Sequence, residues 1–426
     1  MSSAIVIAVN IALAAFLAVG LTPVFVWWER RVSGFMQDRT GPNRCGIGPI
    51  RLGGLIQSFA DMLKLVFKED FTPTHIKYKF FFTIAPVIVF FCSFLTFATI
   101  PFADNLVIDG QSFIMSAIPN ELGIMWFLAF AGLSIYGIIL GGYSSNSKYG
   151  LLGSIRAAAQ VISYEAAMAL AIISMLLSYG SIHLTDIVNA QTGTFLGVIP
   201  MWGIFIQPIA AIIFIVCCFA ETNRAPFDIA EGESEIVAGY HTEYSAMRFG
   251  LFQVGEYAAM SASAAIIVTL VFGGYQIPWL DTPTVQNNMN YIMMALIVIL
   301  PIKVFFLTKW MKKNNRSKNS EDKSRDLETK ILTIAFWGIS LVVVALLAIF
   351  LIFGLGENGV NIVTAVLQIG TFLVKFFLMA FVFIWIRWTV LRFRYDQLQM
   401  LGWKVLLPLA LLNIVVTATF IVVQGS

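Results

Sequence analysis

Carboxylates and guanidiniums gather in two polar stretches of an otherwise apolar chain, and two further carboxylates fall inside the apolar runs. The richer stretch reads AETNRAPFDIAEGESEIVAGYHTEYS and carries Glu221, Asp228, Glu231, Glu233, Glu235 and Glu243, with Arg224 as the lone base before Arg248. Glu231, Glu233 and Glu235 alternate at period two. A regular helix would spread them around its surface, whereas a loop can aim them into one cavity. The two carboxylates inside apolar runs are Glu165, in RAAAQVISYE, and Glu256, in QVGEYAAM. An ionised carboxylate at the centre of a membrane helix costs about 2.5 to 3.5 kcal/mol on insertion scales, so such a group faces a polar interior. Two readings fit these acids: buried ion pairs that lock helices together, with Arg156, Lys303 and Lys375 as candidate counter-charges, or a relay of carboxyls whose burial permits protonation near neutral pH.

The second polar stretch opens with Glu29-Arg30-Arg31 and continues through Gln37-Asp38-Arg39-Thr40-Gly41-Pro42-Asn43-Arg44 into a Gly/Pro-rich segment that excludes regular helix. Leu52, Leu55, Ile56, Phe59, Met62, Leu63, Val66 and Phe67 then recur at three- and four-residue spacing, with Asp61, Lys64 and Lys68 on the opposite face. That pattern predicts an amphipathic helix lying along a membrane surface. Asp61 and Lys64 are one turn apart and can pair as the polar floor of a cavity with lipid-accessible walls. Such a site suits an amphiphile with a polar head and an isoprenoid tail. The plainer reading is an interfacial staple with a basic anchor.

The elements that position these groups follow from composition. The 426 residues are 58% hydrophobic and only 12% charged, and a chain so apolar has lipid as its solvent. Runs long enough to cross a hydrocarbon core of about 30 Å occupy 4–28, 80–100, 121–142, 156–178, 201–219, 250–273, 289–310, 331–354, 362–388 and 403–423. The fold class is therefore all-α, a polytopic helical protein of about ten spans with one interfacial helix. The first run lacks a basic n-region and reads as a retained span rather than a signal peptide. Connections 29–79, 143–155, 220–249, 311–330 and 389–402 contain Lys or Arg, and 101–120, 179–200, 274–288 and 355–361 contain none. By the positive-inside rule the first set is cytoplasmic, which puts both termini on the periplasmic side. The polar run 311–330 reads as a solvated linker. Cys45, Cys92, Cys217 and Cys218 show no C-x-x-C spacing and His75, His183 and His241 are far apart, so no metal or iron–sulfur ligand set is visible.

The segments ERRVSGFMQDRTGPNRCG, FADMLKLVFKED, SNSKYGLLGSIRAAAQVISYE, AETNRAPFDIAEGESEIVAGYHTEYSAMRFGLFQVGEY and WIRWTVLRFRYDQLQMLGWK resemble, in order, the signature segments of the membrane-embedded H subunit of the proton-pumping NADH:quinone oxidoreductase, respiratory complex I. The resemblance covers most of 1–275 and 370–426. It implies a subunit of the bacterial inner membrane that forms part of the quinone chamber and couples quinone reduction to proton translocation. Quinone is then a substrate, while FMN and iron–sulfur clusters belong to partner subunits. The resemblance assigns Glu29, Arg30, Arg39, Asp61, Lys64 and Asp228 to the chamber, with Phe227 as an apolar wall. It assigns Glu165, Glu221, Glu231, Glu233, Glu235 and Glu256 to an acidic route toward the antiporter-like membrane subunits, and it sets Arg387, Arg392 and Arg394 at the cytoplasmic rim.

One departure stands out. Family members commonly pass by a short loop from the segment matching Gly273-Gly274 to the span FLVKFFLMAFVFIWIRW, whereas about ninety residues intervene here. The chain thus divides into a core at 1–275, an inserted two-span hairpin at 276–361 and a two-span end at 362–426. The nearest alternative function is the homologous anchor of a ferredoxin-, flavodoxin- or F420-dependent oxidoreductase or of a membrane-bound hydrogenase. A secondary transporter would require a repeated half-structure with helices broken at matching positions, and the sequence has none.

Overall fold

The structure, a computed structural model, describes residues 3–48, 50–118, 121–195, 197, 199–314 and 323–425. Each of the ten apolar runs is helical. Among the described residues nine helices are long and apolar enough to cross a membrane: α1 (Ala4–Met36), α3 (Lys79–Thr99), α4 (Gly123–Ser144), α5 (Lys148–Tyr179), α7 (Ala246–Val271), α8 (Met289–Lys313), α9 (Asp326–Phe353), α10 (Glu357–Thr389) and α11 (Tyr395–Val423). The run at 201–219 forms the shorter α6 (Pro208–Glu221). The amphipathic pattern after the first span forms the surface helix α2 (Ile56–Phe67). The expected fold class therefore holds.

The connections differ from the sequence expectation in two places. The expected loop 143–155 shrinks to a turn at 145–147, because α5 begins at Lys148 and runs 32 residues, or about 48 Å at 1.5 Å per residue. Helix also enters the polar run 311–330 from both ends, through α8 and α9; residues 315–322 of that run lie outside the described residues. Two connections without basic residues carry small hairpins that the apolar periodicity did not announce: β1 (Leu106–Ile108) against β2 (Gln111–Phe113), and β3 (Thr194–Phe195) against β4 (Ile199–Pro200).

Helix α7 is the axis of the bundle. Its apolar window is 83% buried, against 11% for α8 and 6% for α9. The reason is legible in its sequence, since Ala258, Ser261, Ala262, Ser263, Ala264 and Ala265 are small and all buried. Small side chains let helix backbones approach where no hydrophobic effect drives them together. The same device joins α3 to α4: a Cβ on Gly137 would fall 2.5 Å from Val89 Cγ2 and 2.8 Å from the Ala85 carbonyl oxygen.

Helix α1 is interrupted by a π-helical turn at Phe16–Gly20, where the Leu21 amide donates to the Phe16 carbonyl at 3.0 Å, followed at once by Pro23. Proline cannot donate to the preceding turn and π-bulges re-aim the residues beside them. Val19, Thr22 and Pro23 thereby face the apolar cavity between α1, α2 and α7 described below. The loop after α1 folds back over the helix end, with Trp27 Nε1 donating to the Gly53 carbonyl at 3.0 Å. Gly54, at φ +93, approaches Pro42 so closely that a Cβ would sit 2.0 Å from its carbonyl oxygen. No L-residue with a side chain fits there.

Gly137→Val should overpack the α3–α4 contact at a cost of about 1 to 3 kcal/mol. The expected outcome is a lower thermal midpoint and reduced accumulation of the chain in membranes, measured by differential scanning fluorimetry and quantitative blotting. Wild-type values for both would show that the helices separate without cost.

Candidate functional site

Where α1 leaves the apolar layer, its Glu29 side chain turns inward and is almost fully buried. Burying a carboxylate requires partners. Glu29 Oε1 lies 2.6 Å from Arg387 Nη1, at the end of α10, and Oε2 accepts hydrogen bonds from Arg224 Nη1 at 3.3 Å and from the Tyr257 hydroxyl at 2.9 Å. The Arg224 guanidinium lies over the Tyr257 ring, 3.9 Å from its centroid. One carboxylate thus ties α1, the acidic loop, α7 and α10 together.

Beside this cluster is a cavity of about 430 Å³ between α1, α2 and α7. Its polar wall is made by Glu29, Arg30, Ser58, Asp61 and Tyr257, and its apolar wall includes Val26, Leu65, Phe90, Leu251 and Val254. Arg30 and Asp61 form an ion pair at the polar end, and Gln57 Nε2 donates to Asp61 Oδ1 at 3.0 Å. Helix α2 turns Ser58, Asp61 and Leu65 toward the bundle and leaves Phe59, Leu63, Val66 and Phe67 exposed.

The acidic loop continues inward from Arg224. Asp228 pairs with Arg392 at 2.8 Å, and Arg392 Nε also donates to the Asp228 carbonyl oxygen at 2.7 Å. Burial raises the Asp228 carboxyl to about 6 even though Arg392 and Arg387 pull the other way. Burial and then the charge of Asp228 raise Glu231 to about 7. Glu231 faces His241 Nδ1 at 3.7 Å and is near enough to Glu256 for their charges to interact. The Tyr240 hydroxyl donates to Glu256 Oε1 at 2.8 Å. Further into the bundle, Glu221 faces a small cavity with Ser93, Thr96, Ser134 and Ser263, and it is near enough to Glu165 for their charges to interact. Glu165 packs on α4, where a Cβ at Gly132 would meet its Oε1 at 2.7 Å.

The NADH dehydrogenase family model matches residues 8–318 and 330–418. A relative in Flavobacterium psychrophilum, named as the H subunit of NADH-quinone oxidoreductase, is 36% identical over 419 residues, covering 98% of each chain. Relatives named as H subunits of the same enzyme in Salinibacter ruber and Geobacter metallireducens are 38% and 37% identical over 97% of this chain and 97% and 96% of their own. The chain belongs to the NADH dehydrogenase family, among its H subunits. The match extends across most of the segment between Gly274 and α10, so much of that segment lies within the family's aligned length.

Of the chamber residues expected in such an H subunit, Glu29, Arg30 and Asp61 share the cavity. Asp228 and Phe227 lie apart from it, with Phe227 packed between the rings of Tyr164 at 5.6 Å and Phe393 at 5.4 Å. Arg39 is exposed and donates to Gln37 Oε1 at 2.7 Å. Lys64 is exposed as well. The expected Asp61–Lys64 floor is therefore replaced by an Asp61–Arg30 pair, because the start of the helix faces Arg30 while Lys64 turns outward.

Two further expectations are corrected. Glu231 and Glu235 do not share a cavity: Glu233–Ile236 is a helical turn that points Glu235 outward to Arg156, at 2.6 Å, while Glu231 points inward. The Glu233 side chain lies outside the described residues. Neither of the lysines named as counter-charges reaches the buried acids. Lys375 Nζ instead donates to the carbonyls of Phe272, Gly274 and Gln276 at 2.9, 3.0 and 2.7 Å, beyond the other end of α7, and Lys303 is exposed. Tyr240, His241 and Tyr257 complete the cluster without having been singled out as site residues, and Arg387, expected only at the rim, pairs with Glu29. A tyrosine directly following an intramembrane acid, as in Glu256-Tyr257, was the available signal. Among the described residues there is no group of three or more His, Cys, Asp or Glu side chains able to hold a metal ion.

The raised Asp228 and Glu231 values mean that the folded loop holds protons the unfolded chain has released. Their contribution to stability is fully present below the unfolded values of 3.8 and 4.5 and is lost as pH rises through about 6 and 7. The protection of amides across 222–245, taken relative to the intrinsic exchange rate at each pH, should therefore fall between pH 5 and pH 8, and Glu231→Gln should flatten that fall. An unchanged pH profile in the variant would mean that Glu231 is ionised throughout.

Proposed function

We propose that this chain is the membrane subunit of a proton-pumping NADH:quinone oxidoreductase that holds a quinone headgroup at the polar end of the α1–α2–α7 cavity and passes the consequence of its reduction to buried carboxyls. The single observation that carries the reading is the cavity itself. It joins a charged end, Glu29, Arg30 and Asp61, to an apolar wall in a length of chain that lies in lipid, which matches a quinone with its isoprenoid tail. The names of the relatives favour NADH as the donor and quinone as the acceptor.

In this reading the quinone takes up two electrons and two protons to become a quinol. FMN and iron–sulfur clusters in peripheral-arm partners supply the electrons, and this chain supplies no covalent catalyst. Its residues orient the head and respond to its charge. As the head gains negative charge, Arg224 and Arg387, which share Glu29, redistribute between the two anions. Arg224 borders Glu256 electrostatically, and Asp228 and Glu231 border it in turn, so a proton shift among Asp228, Glu231 and Glu256 follows from Coulomb coupling at close range. Glu221 and Glu165 continue the route toward antiporter-like subunits. Arg39 and Lys64, exposed on the basic side with Glu235, meet the peripheral arm, and Phe227 braces the acidic loop. The basic loops lie in the cytoplasm and both termini in the periplasm of a bacterial inner membrane, a sidedness supported by the distribution of Lys and Arg.

The hairpin α8–α9 is assigned to the lipid-facing periphery, supported by its low burial. Its flanks are not part of it. Thr282 Oγ1 donates to Asp104 at 2.9 Å, and Asn361 Nδ2 donates to the Val107 carbonyl at 2.9 Å, which supports placing 281–287 and 357–361 with the body.

Asp61→Asn removes a charge-assisted contact worth about 1.5 to 3 kcal/mol, and the apparent KM for short-chain quinones should rise roughly 10-fold or more. Unchanged KM and unchanged inhibitor affinity in assembled complex would remove Asp61 from the chamber. Replacing 288–355 by a short polar bridge should leave quinone reduction within about twofold of wild type, since no charged group at the cavity is deleted. Loss of quinone reduction in a fully assembled complex would instead make the contact between the Arg51 amide and Glu328 Oε1, at 3.3 Å, part of the working site.

A further inference from the structure

Just past the end of α7, four backbone carbonyls converge on one atom. Lys375 Nζ, carried by α10, donates to the carbonyls of Phe272, Gly273, Gly274 and Gln276 at 2.9, 3.4, 3.0 and 2.7 Å, and it lies 5.0 Å from the centroid of the Trp202 ring. An ammonium offers three N–H donors and no acceptor, and the four groups it meets here are all acceptors. The aromatic face adds a further attraction for a cation.

This turn is shaped by contacts of its own. Gly273 and Gly274 take φ +70 and +48, a left-handed pair that lets the chain curl around the converging oxygens. The buried Gln191 accepts from the Gly273 amide at 3.0 Å and from the Gly203 amide at 3.1 Å, and it donates to the Thr269 carbonyl at 2.9 Å. The Gly274 amide donates to the Val268 carbonyl at 2.9 Å, and the Gln276 side chain to Asn189 Oδ1 at 2.9 Å. None of these bonds involves α10. The carbonyls are therefore held in place by the body of the protein rather than by the lysine they surround.

We propose that the turn at 272–276 is a cation-binding site in its own right, suited to a primary ammonium, and that Lys375 is its built-in occupant. Converging carbonyls replace the hydration shell of a cation, and the negative end of the α7 dipole strengthens their pull. Beside Nζ is a cavity of about 230 Å³ walled by Trp202, Phe272, Leu378, Met379 and Val382, and Leu378 is exposed on the surface that lies in lipid. A small alkylammonium thus has an entrance from the bilayer, and room for its stem once the lysine stem is removed. The occupied site also pins α10 to the end of α7. The twelve residues from Lys375 to Arg387 put this clip about 18 Å along the helix from the Arg387–Glu29 pair. The site stands whether or not the cavity at Glu29 holds quinone.

The test uses the complete complex and reads the protection of amides across 268–276, taken relative to intrinsic exchange rates. Lys375→Ala should lower that protection roughly 10-fold or more, the scale of a lost charge-assisted hydrogen bond. Propylammonium chloride should restore it saturably, whereas tetramethylammonium chloride, of the same charge but without an N–H, should not. Wild-type protection in the alanine variant overturns the site, and so does a failure of propylammonium to restore it or an equal restoration by both salts. If the alanine variant fails to assemble, Lys375→Met decides, since it keeps the packing of the stem and removes the donors. Protection should then fall and propylammonium should have no effect, because the stem blocks its way. Wild-type protection in the methionine variant, or a response to propylammonium there, overturns the assignment.

Discussion

A carboxylate taken out of water must be repaid by charges and hydrogen bonds of its own, and Glu29 collects Arg224, Arg387 and Tyr257 from three separate parts of the chain. Removing one member of such a buried cluster leaves the others uncompensated, at a cost of about 3 to 5 kcal/mol. The acidic loop cannot therefore move away from α1 without also releasing the end of α10. This constraint holds the loop against Glu29, one of the residues of the cavity's polar wall. It also makes the cluster sensitive to any new charge brought beside it.

The bundle around that cluster is arranged so that polarity and packing do not compete. Small residues on α7 let α1, α3, α6 and α10 close around it, and larger aromatic side chains fill the buried space between the surrounding helices, as where Phe25 meets Phe376 with ring centroids 6.1 Å apart. The α1 π-bulge interrupts this packing at one level only, and the apolar wall of the cavity begins there. At the opposite end, Lys375 donates to the carbonyl of Phe272, which caps α7, and to those just beyond it, near the groups that a helix terminus leaves orphaned. A cation at that end also matches the sign of the helix dipole.

Along the acidic loop, environment rather than residue type separates the carboxyls. Glu235 is exposed and paired with Arg156, while Glu231, four residues earlier, is held near 7 by burial and by Asp228. Two groups of the same chemistry are thus assigned different work by a single helical turn at 233–236. A carboxyl that titrates near neutral pH can exchange protons in response to small changes in local charge.

The sequence alone determined that the chain is a multi-pass membrane protein and which runs become its helices, because hydrocarbon thickness and the cost of an unpaired backbone group leave a span few alternatives. The amphipathic helix bearing Asp61 was equally legible, since its period is a property of neighbouring residues. Partners were not legible. Asp61 chose Arg30 over Lys64, Lys375 chose the carbonyls beyond α7 over the buried acids, and Glu29 chose Arg224 and Arg387 across 195 residues and more of chain. Such pairings depend on helix rotation and on where loops cross, which only the packed bundle sets. A charge in low dielectric pairs with whichever opposite charge the fold brings within a few ångströms, and distance along the chain does not enter that choice.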